Sequence, residues 1–138
     1  MWKSVKLALL GFVAGSAWIA AGVAWTGAWA QRAAPLQAVA HGEWQLSEID
    51  GPGRVSLCVA DPGTLLQLRQ AKANCSRTVL DSGRSSMTVH YSCGGTGHGR
   101  SVLTVHSASS IRLETQGVTG GAPFAAEYDG KLIGPCSR

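Results

Sequence analysis

The chain has 138 residues, a formal net charge of +4 and only 14% charged residues, against about 25% in an average soluble protein. That length bounds it to one domain and excludes a multidomain enzyme, while the composition excludes a disordered tail and a coiled coil. Lys3 and Lys6 lie in an acid-free N-terminal segment, so the charge falls from +4 to +2 beyond residue 30, too little for a nucleic-acid-binding protein.

That first segment runs MWKSVK, LALLGFVAGSAWIAAGVAW, TGAWAQ: a basic start, an apolar stretch, and the small-residue site Ala28-Trp29-Ala30 before Gln31. The order is that of a secretory signal peptide cleaved after Ala30. The apolar run Leu7 to Trp25 is 19 residues long, enough to span a bilayer as a helix, so an uncleaved N-terminal anchor with Lys3 and Lys6 in the cytoplasm is the alternative. Both readings place the rest of the chain outside the cytoplasm: a periplasmic protein, or an inner-membrane-anchored one with its domain in the periplasm. Four of the five tryptophans (Trp2, Trp18, Trp25, Trp29) fall in this segment, leaving Trp44 for a folded core. Residues 31–41, QRAAPLQAVAH, show no periodicity and read as a linker or frayed arm before a domain at 42–138.

From residue 42 the pattern is of strands. GEWQLSEI (42–49) puts Trp44 and Leu46 in phase; Gly51-Pro52-Gly53 is a turn; RVSLCVA (54–60) aligns Val55, Leu57 and Val59. Asp61-Pro62 reads as the N-cap and first position of a short helix whose apolar face is Leu65, Leu66 and Leu68, ending before Lys72. CSRTVL (75–80) and SMTVHYSC (86–93) follow, separated by the turn-forming DSGRS. A glycine loop at 94–99 leads to SVLTVH (101–106), and IRLETQGV (111–118) comes after a turn at 107–110. PFAAEY (123–128) and KLIG (131–134) flank Asp129-Gly130, a two-residue hairpin signal. Seven or eight short strands with one helix predict an all-β, mainly antiparallel meander forming a sandwich or partial barrel.

The four cysteines, Cys58, Cys75, Cys93 and Cys136, all lie beyond the leader. In an exported chain an even number implies disulfides, here with three possible connectivities. Antiparallel pairing of the strands around DSGRS, centred on residue 84, sets Cys75 opposite Cys93, which leaves Cys58 for Cys136. No C-x-x-C pair is present, and Cys and His are scattered singly, so zinc coordination lacks its usual spacing.

Taken in order, the leader, Gly42-Glu43-Trp44, the Cys58–Pro62 lead into a short helix, Cys75, Cys93 and the closing YDGKLIGPC resemble a known set. The resemblance is to the domain-of-unknown-function family numbered 3617, small exported proteins of Gram-negative bacteria, over about residues 42–136. It implies a periplasmic all-β domain with paired cysteines and carries no catalytic, cofactor-binding or metal-ligating residues to transfer. The chain departs from the family in its short helix region and long apolar leader; the second keeps the anchored form open.

Candidate sites each have a plain structural alternative. GGTGHGRS contains Gly94, Gly99, Arg100 and Ser101 at Walker A spacing with arginine for lysine. A P-loop needs a helix next, whereas SVLTVH is strand-like, so a glycine-rich turn is expected. His90 and His106 fall out of phase with their apolar neighbours and would share a polar face, with His98 in the loop between. Solvated strand histidines are expected there, and weak metal binding is the alternative. Glu43, Glu48 and Asp50 cluster in sequence, and Asp61 has a capping role; nothing selects an acid–base pair among them. No G-x-S-x-G elbow is present, and Asn74-Cys75-Ser76 matches a glycosylation sequon by chance.

Three function classes remain. The leading one is a non-enzymatic envelope module that binds a partner protein or wall component through strand edges or a sheet face. The second is a barrel-like protein holding an apolar ligand in its concave side. The third is a hydrolase or metal-dependent enzyme. No cofactor and no nucleic-acid partner are expected, and a membrane enters only through residues 1–30. A pocket of several hundred Å³ marks the second class, and three converging polar side chains mark the third.

Overall fold

The computed structural model describes residues 34–137. The leader, its cleavage site and residues 31–33 of the arm lie outside them. A single helical turn α1 (Ala34–Gln37) precedes β1 (Gly42–Glu48) and β2 (Arg54–Val59); the 3-10 helix η1 (Pro62–Gln70) follows. Then come β3 (Ser76–Ser82), β4 (Ser86–Ser92), the short turn η2 (Gly94–Thr96), β5 (Gly97–Ser107), β6 (Ser110–Thr119) and β7 (Ala122–Gly134).

All seven strands form one antiparallel sheet in the order β2-β1-β7-β6-β5-β4-β3. The all-β expectation holds, as a single sheet. β2 and β3 are consecutive in the chain yet form its opposite edges, so the segment joining them must cross one face. That segment is η1, which touches β2, β4, β5 and β6. At its start the edges approach each other: Arg77 on β3 reaches Asp61, two residues past β2, at 3.4 Å. The sheet is therefore a partial barrel wrapped around its own crossover.

Period-2 alternation fills the concave face. Trp44 and Leu46 of β1, Met87, Val89 and Tyr91 of β4, Leu103 of β5, Ile111 and Leu113 of β6 and Tyr128 of β7 are buried there. η1 adds Leu65, Leu66 and Leu68. Four successive positions, Leu65 to Leu68, are buried, more than the single stripe of a regular α-helix presents to a flat sheet. The curved sheet and a non-helical residue at Gln67 (φ −123°, ψ 41°) make this possible. Asp61 caps η1 as expected, its Oδ1 accepting from Gly63 N at 2.9 Å.

Two sequence expectations are corrected. Asp129-Gly130 is not a turn, because β7 runs unbroken from Ala122 to Gly134. Asp129 points outward to Arg112, at 3.3 Å. Gly130 points inward, where a Cβ would stand 2.7 Å from Ile111 Cγ1. The pair is thus an out–in step of a strand, its glycine making room for a core side chain. The arm is likewise not a free linker from residue 34 onward. Val39 is 3% exposed, Ala40 N donates to Ala108 O at 2.9 Å, and Trp44 Nε1 donates to Ala40 O at 2.9 Å.

Disulfides join Cys75 to Cys93, with Cα atoms 4.1 Å apart, and Cys58 to Cys136, with Cα atoms 5.3 Å apart. The first closes the base of the β3–β4 hairpin, just beyond the Ser76–Ser92 pair. The second ties the edge strand β2 to the tail after β7, although β1 lies between the two strands in the sheet. Ser137 on that tail donates to Glu43 Oε2 at 3.0 Å through its hydroxyl.

Candidate functional site

Most residues singled out in the sequence are dispersed or already occupied by structural bonds. In the glycine-rich segment only Gly94–Thr96 lies outside a strand; Gly97 opens β5, and Arg100 and Ser101 sit well inside it. The later glycines serve close backbone approach: a Cβ on Gly99 would stand 2.5 Å from Tyr91 Oη and 2.6 Å from Gln116 O. Ser101 is buried, and its hydroxyl donates to Leu66 O at 2.6 Å. Its single proton is then used, so the Ser101–Thr115 hydroxyl contact at 2.9 Å takes its proton from Thr115. This bond fastens η1 to the sheet; it is not a nucleophile or a phosphate ligand.

The histidine pairing differs from expectation. Register sets His90 opposite Arg100 and Ser92 opposite His98, while His106 falls beyond the last β4–β5 pair, Ser86 with Thr104. His90 therefore neighbours His98, with ring centroids 6.3 Å apart; His106 stands at the other end of β5. Among the described residues no group of three or more metal-type side chains comes together. The carboxylates go separate ways. Glu43 holds the C-terminal tail, Glu48 folds over the Gly51 and Gly53 turn, and Asp50 lines a shallow outer-face groove with Arg100, Glu114 and Glu127. Asn74 is exposed beside the disulfide cysteine Cys75.

The concave side, the place for an apolar ligand in the sequence reading, is filled by Leu65, Leu66 and Leu68. A cavity does open at its margin. Where η1 ends against η2 and the β6–β7 turn, a groove of about 720 Å³ is lined by Leu68 to Ala73, Gly95, Thr96, Thr119 and Gly120. This is within the roughly 300–1,000 Å³ of small-ligand sites. Two glutamines of η1 shape it. Gln67 Nε2 donates to Gln70 O at 3.1 Å and to Ala73 O at 2.8 Å, holding the wall in place. Gln70, 8% exposed, donates through Nε2 to Thr96 O at 2.6 Å.

What remains is an unmet demand. Gln70 Oε1, Thr119 Oγ1 and, in the core, Tyr91 Oη are buried and have no hydrogen-bond partner. Leaving such a group unpaired costs about 1–3 kcal/mol. The groove is also cationic: Arg69 and Lys72 line it and no acid does. The ion pairs of the described residues use Arg77 and Arg112 instead. The Arg69 guanidinium lies over the Phe124 ring, 5.3 Å from its centroid. Tyr91, within reach of the Arg69 charge, is fully buried. Burial raises its pKa above the ordinary phenol value, and the Arg69 charge partly opposes that rise.

Sequence reading missed Gln70, Thr119 and Arg69 as a group. The available signal was Gln67 and Gln70 within LLQLRQ, two amides in the most apolar part of the helix. Compared with protein-family models, with curated proteins and with solved structures, the chain finds no match.

Proposed function

We propose that the chain is a non-enzymatic binding module of the bacterial envelope, and that its ligand occupies the groove at the C-terminal end of η1. The observation that carries this reading is the groove itself: about 720 Å³, walled partly by Leu68, Ala71 and Ala73, and lined by Arg69 and Lys72 with no acid. A concave, partly apolar groove of that size with convergent charges is the usual form of a small-ligand site. Two disulfides within the described residues point to an oxidising, exported environment. The periplasm and kinship with the exported family that the residue order resembles are the finer parts of the proposal. Among the described residues no helix is long and apolar enough to cross a membrane.

A second reading rests on β3, which is exposed on both faces from Ser76 to Asp81, with Val79 38% and Leu80 56% exposed. An edge strand of this kind accepts a partner strand by backbone pairing. Amide shift mapping of the oxidised protein separates the two. With trialanine and octanoate as probes, shifts are expected on residues 68–73, 95–96 and 119–120, and Ala71→Trp, which fills the groove, abolishes them. Shifts confined to β2 and β3 would favour the edge, and no shifts with either probe would overturn the groove.

A further inference from the structure

A 3-10 helix has three residues per turn, so side chains three apart stand one above the other. The last turn of η1 keeps this spacing past Gln70: Ala71 has helical angles (φ −55°, ψ −29°), and Ala73 N donates to Gln70 O at 2.9 Å. Leu68 and Ala71 therefore form one row along the groove, and Arg69 and Lys72 the row beside it. The first row is apolar and recessed. The second is cationic and exposed, with no lining acid and no ion pair for either residue among the described residues. An apolar strip thus runs directly beside a charged one.

The hydrogen-bonding groups around the strip are largely spent within the protein. Gln70 O and Ala73 O both accept from Gln67 Nε2. Thr96 O accepts from Gln70 Nε2 and from Gly120 N, and the Thr96 hydroxyl donates to Cys93 O at 2.9 Å. Gln70 Oε1 and Thr119 Oγ1 are enclosed, out of a ligand's reach. What the groove offers is apolar contact and positive charge. A peptide or a sugar would be desolvated here without partners for its polar groups, which is costly. An inorganic anion would gain nothing from the apolar row. A bilayer needs a protruding apolar group, yet the exposed large apolar residues among those described are Ile49, Val79, Leu80 and Ile133, and none lines the groove. Resting on the groove reading above, we infer that the ligand is a small amphiphilic anion, bound as a single molecule: one alkyl or acyl tail and one anionic head. The tail lies along Leu68 and Ala71, and the head meets Arg69 and Lys72. The space at Gly95 and Gly120, where a Cβ would meet nothing within 4 Å, leaves room for the tail's end. Arg69 suits its role because its flat guanidinium, steadied over Phe124, meets an oxyanion through two parallel hydrogen bonds.

The test titrates the oxidised protein with octanoate, 1-octanol and acetate, each as dispersed monomer, and follows amide shifts. Octanoate is expected to shift residues 68–73 and 119–120 and to bind roughly tenfold more tightly than octanol, an advantage that shrinks as salt is raised. Acetate, a head without a tail, is expected to bind more weakly than octanoate by roughly tenfold or more. Arg69→Gln with Lys72→Gln, both at exposed positions, brings octanoate down to the octanol level and leaves octanol binding unchanged. Lys72→Glu gives the same test with the Arg69–Phe124 contact intact, should the double variant perturb the fold, which circular dichroism reports. Equal affinity for octanoate and octanol, or an octanoate advantage that survives loss of both cations, overturns the anionic head while the groove stands. Acetate binding as tightly as octanoate overturns the tail. Trialanine binding more tightly than octanoate, or groove shifts seen only with phosphatidylglycerol vesicles, overturns the ligand class. Failure of every probe to shift the groove removes the underlying reading itself.

Discussion

Replacing Cys58 and Cys136 together with serine is expected to lower the unfolding free energy by about 4.5 kcal/mol, against about 3 kcal/mol for the Cys75 and Cys93 pair. The difference follows from loop length: the bridges close separations of 78 and 18 residues, and the longer loop has more unfolded-state entropy to lose. Position in the sheet adds to it. The β1–β2 hairpin is held to the rest of the sheet through the β1–β7 ladder, and the Cys58–Cys136 bridge locks the far strand of that hairpin to the tail after β7. For a domain whose whole stability is of order 5–15 kcal/mol, the loss is a large fraction. Urea titrations of the two double variants measure it. Equal losses, or a greater loss at Cys75 and Cys93, would contradict the assignment of the long bridge as the main staple.

Trp44→Ala is expected to cost about 3–5 kcal/mol, the usual range for an aromatic deleted from a packed core. Trp44 is 0% exposed, stands between Leu57 of β2 and Leu132 of β7 across the sheet, and donates Nε1 to Ala40 O at 2.9 Å. The substitution empties the core beneath the arm and leaves the Ala40 carbonyl without its donor. Hydrogen exchange at Ala40 and Val39 should therefore accelerate more than exchange in β4 or β5. Trp44→Phe, which keeps most of the volume and loses the hydrogen bond, separates the contributions and should cost about 1 kcal/mol from the bond itself. A Trp44→Ala loss under 1 kcal/mol would mean that the arm and β1 are not the packed unit described.

How much of this was legible in the sequence depended on how local each cause was. The strands around Trp44, Val89 and Leu113 followed from strict alternation, because side-chain direction in a strand has period 2 whatever the partner. Asp61-Pro62 signalled the start of η1 because capping acts within three residues. Asp129-Gly130 misled for a nonlocal reason: its glycine is required by Ile111 on β6, 19 residues earlier, and its aspartate by Arg112. The same holds for Gly99, whose neighbours are Tyr91 and a β6 carbonyl. Strand order was hidden too, since β1 pairs with β7, the far end of the chain. Once that order is known, the crossing of η1 follows, and with it the burial of Gln67 and Gln70. The groove was illegible because its walls come from three separated segments and its polarity from glutamines whose burial depends on that crossing.

The most direct test of the account is the thiol state of the protein recovered from its own cells, by intact mass after alkylation with and without prior reduction. A disulfide-braced module of an oxidising compartment gives a chain with all of Cys58, Cys75, Cys93 and Cys136 unreactive until reduced. Free alkylation of these cysteines without reduction would contradict it, removing both the staples of the fold and the compartment in which the ligand is sought.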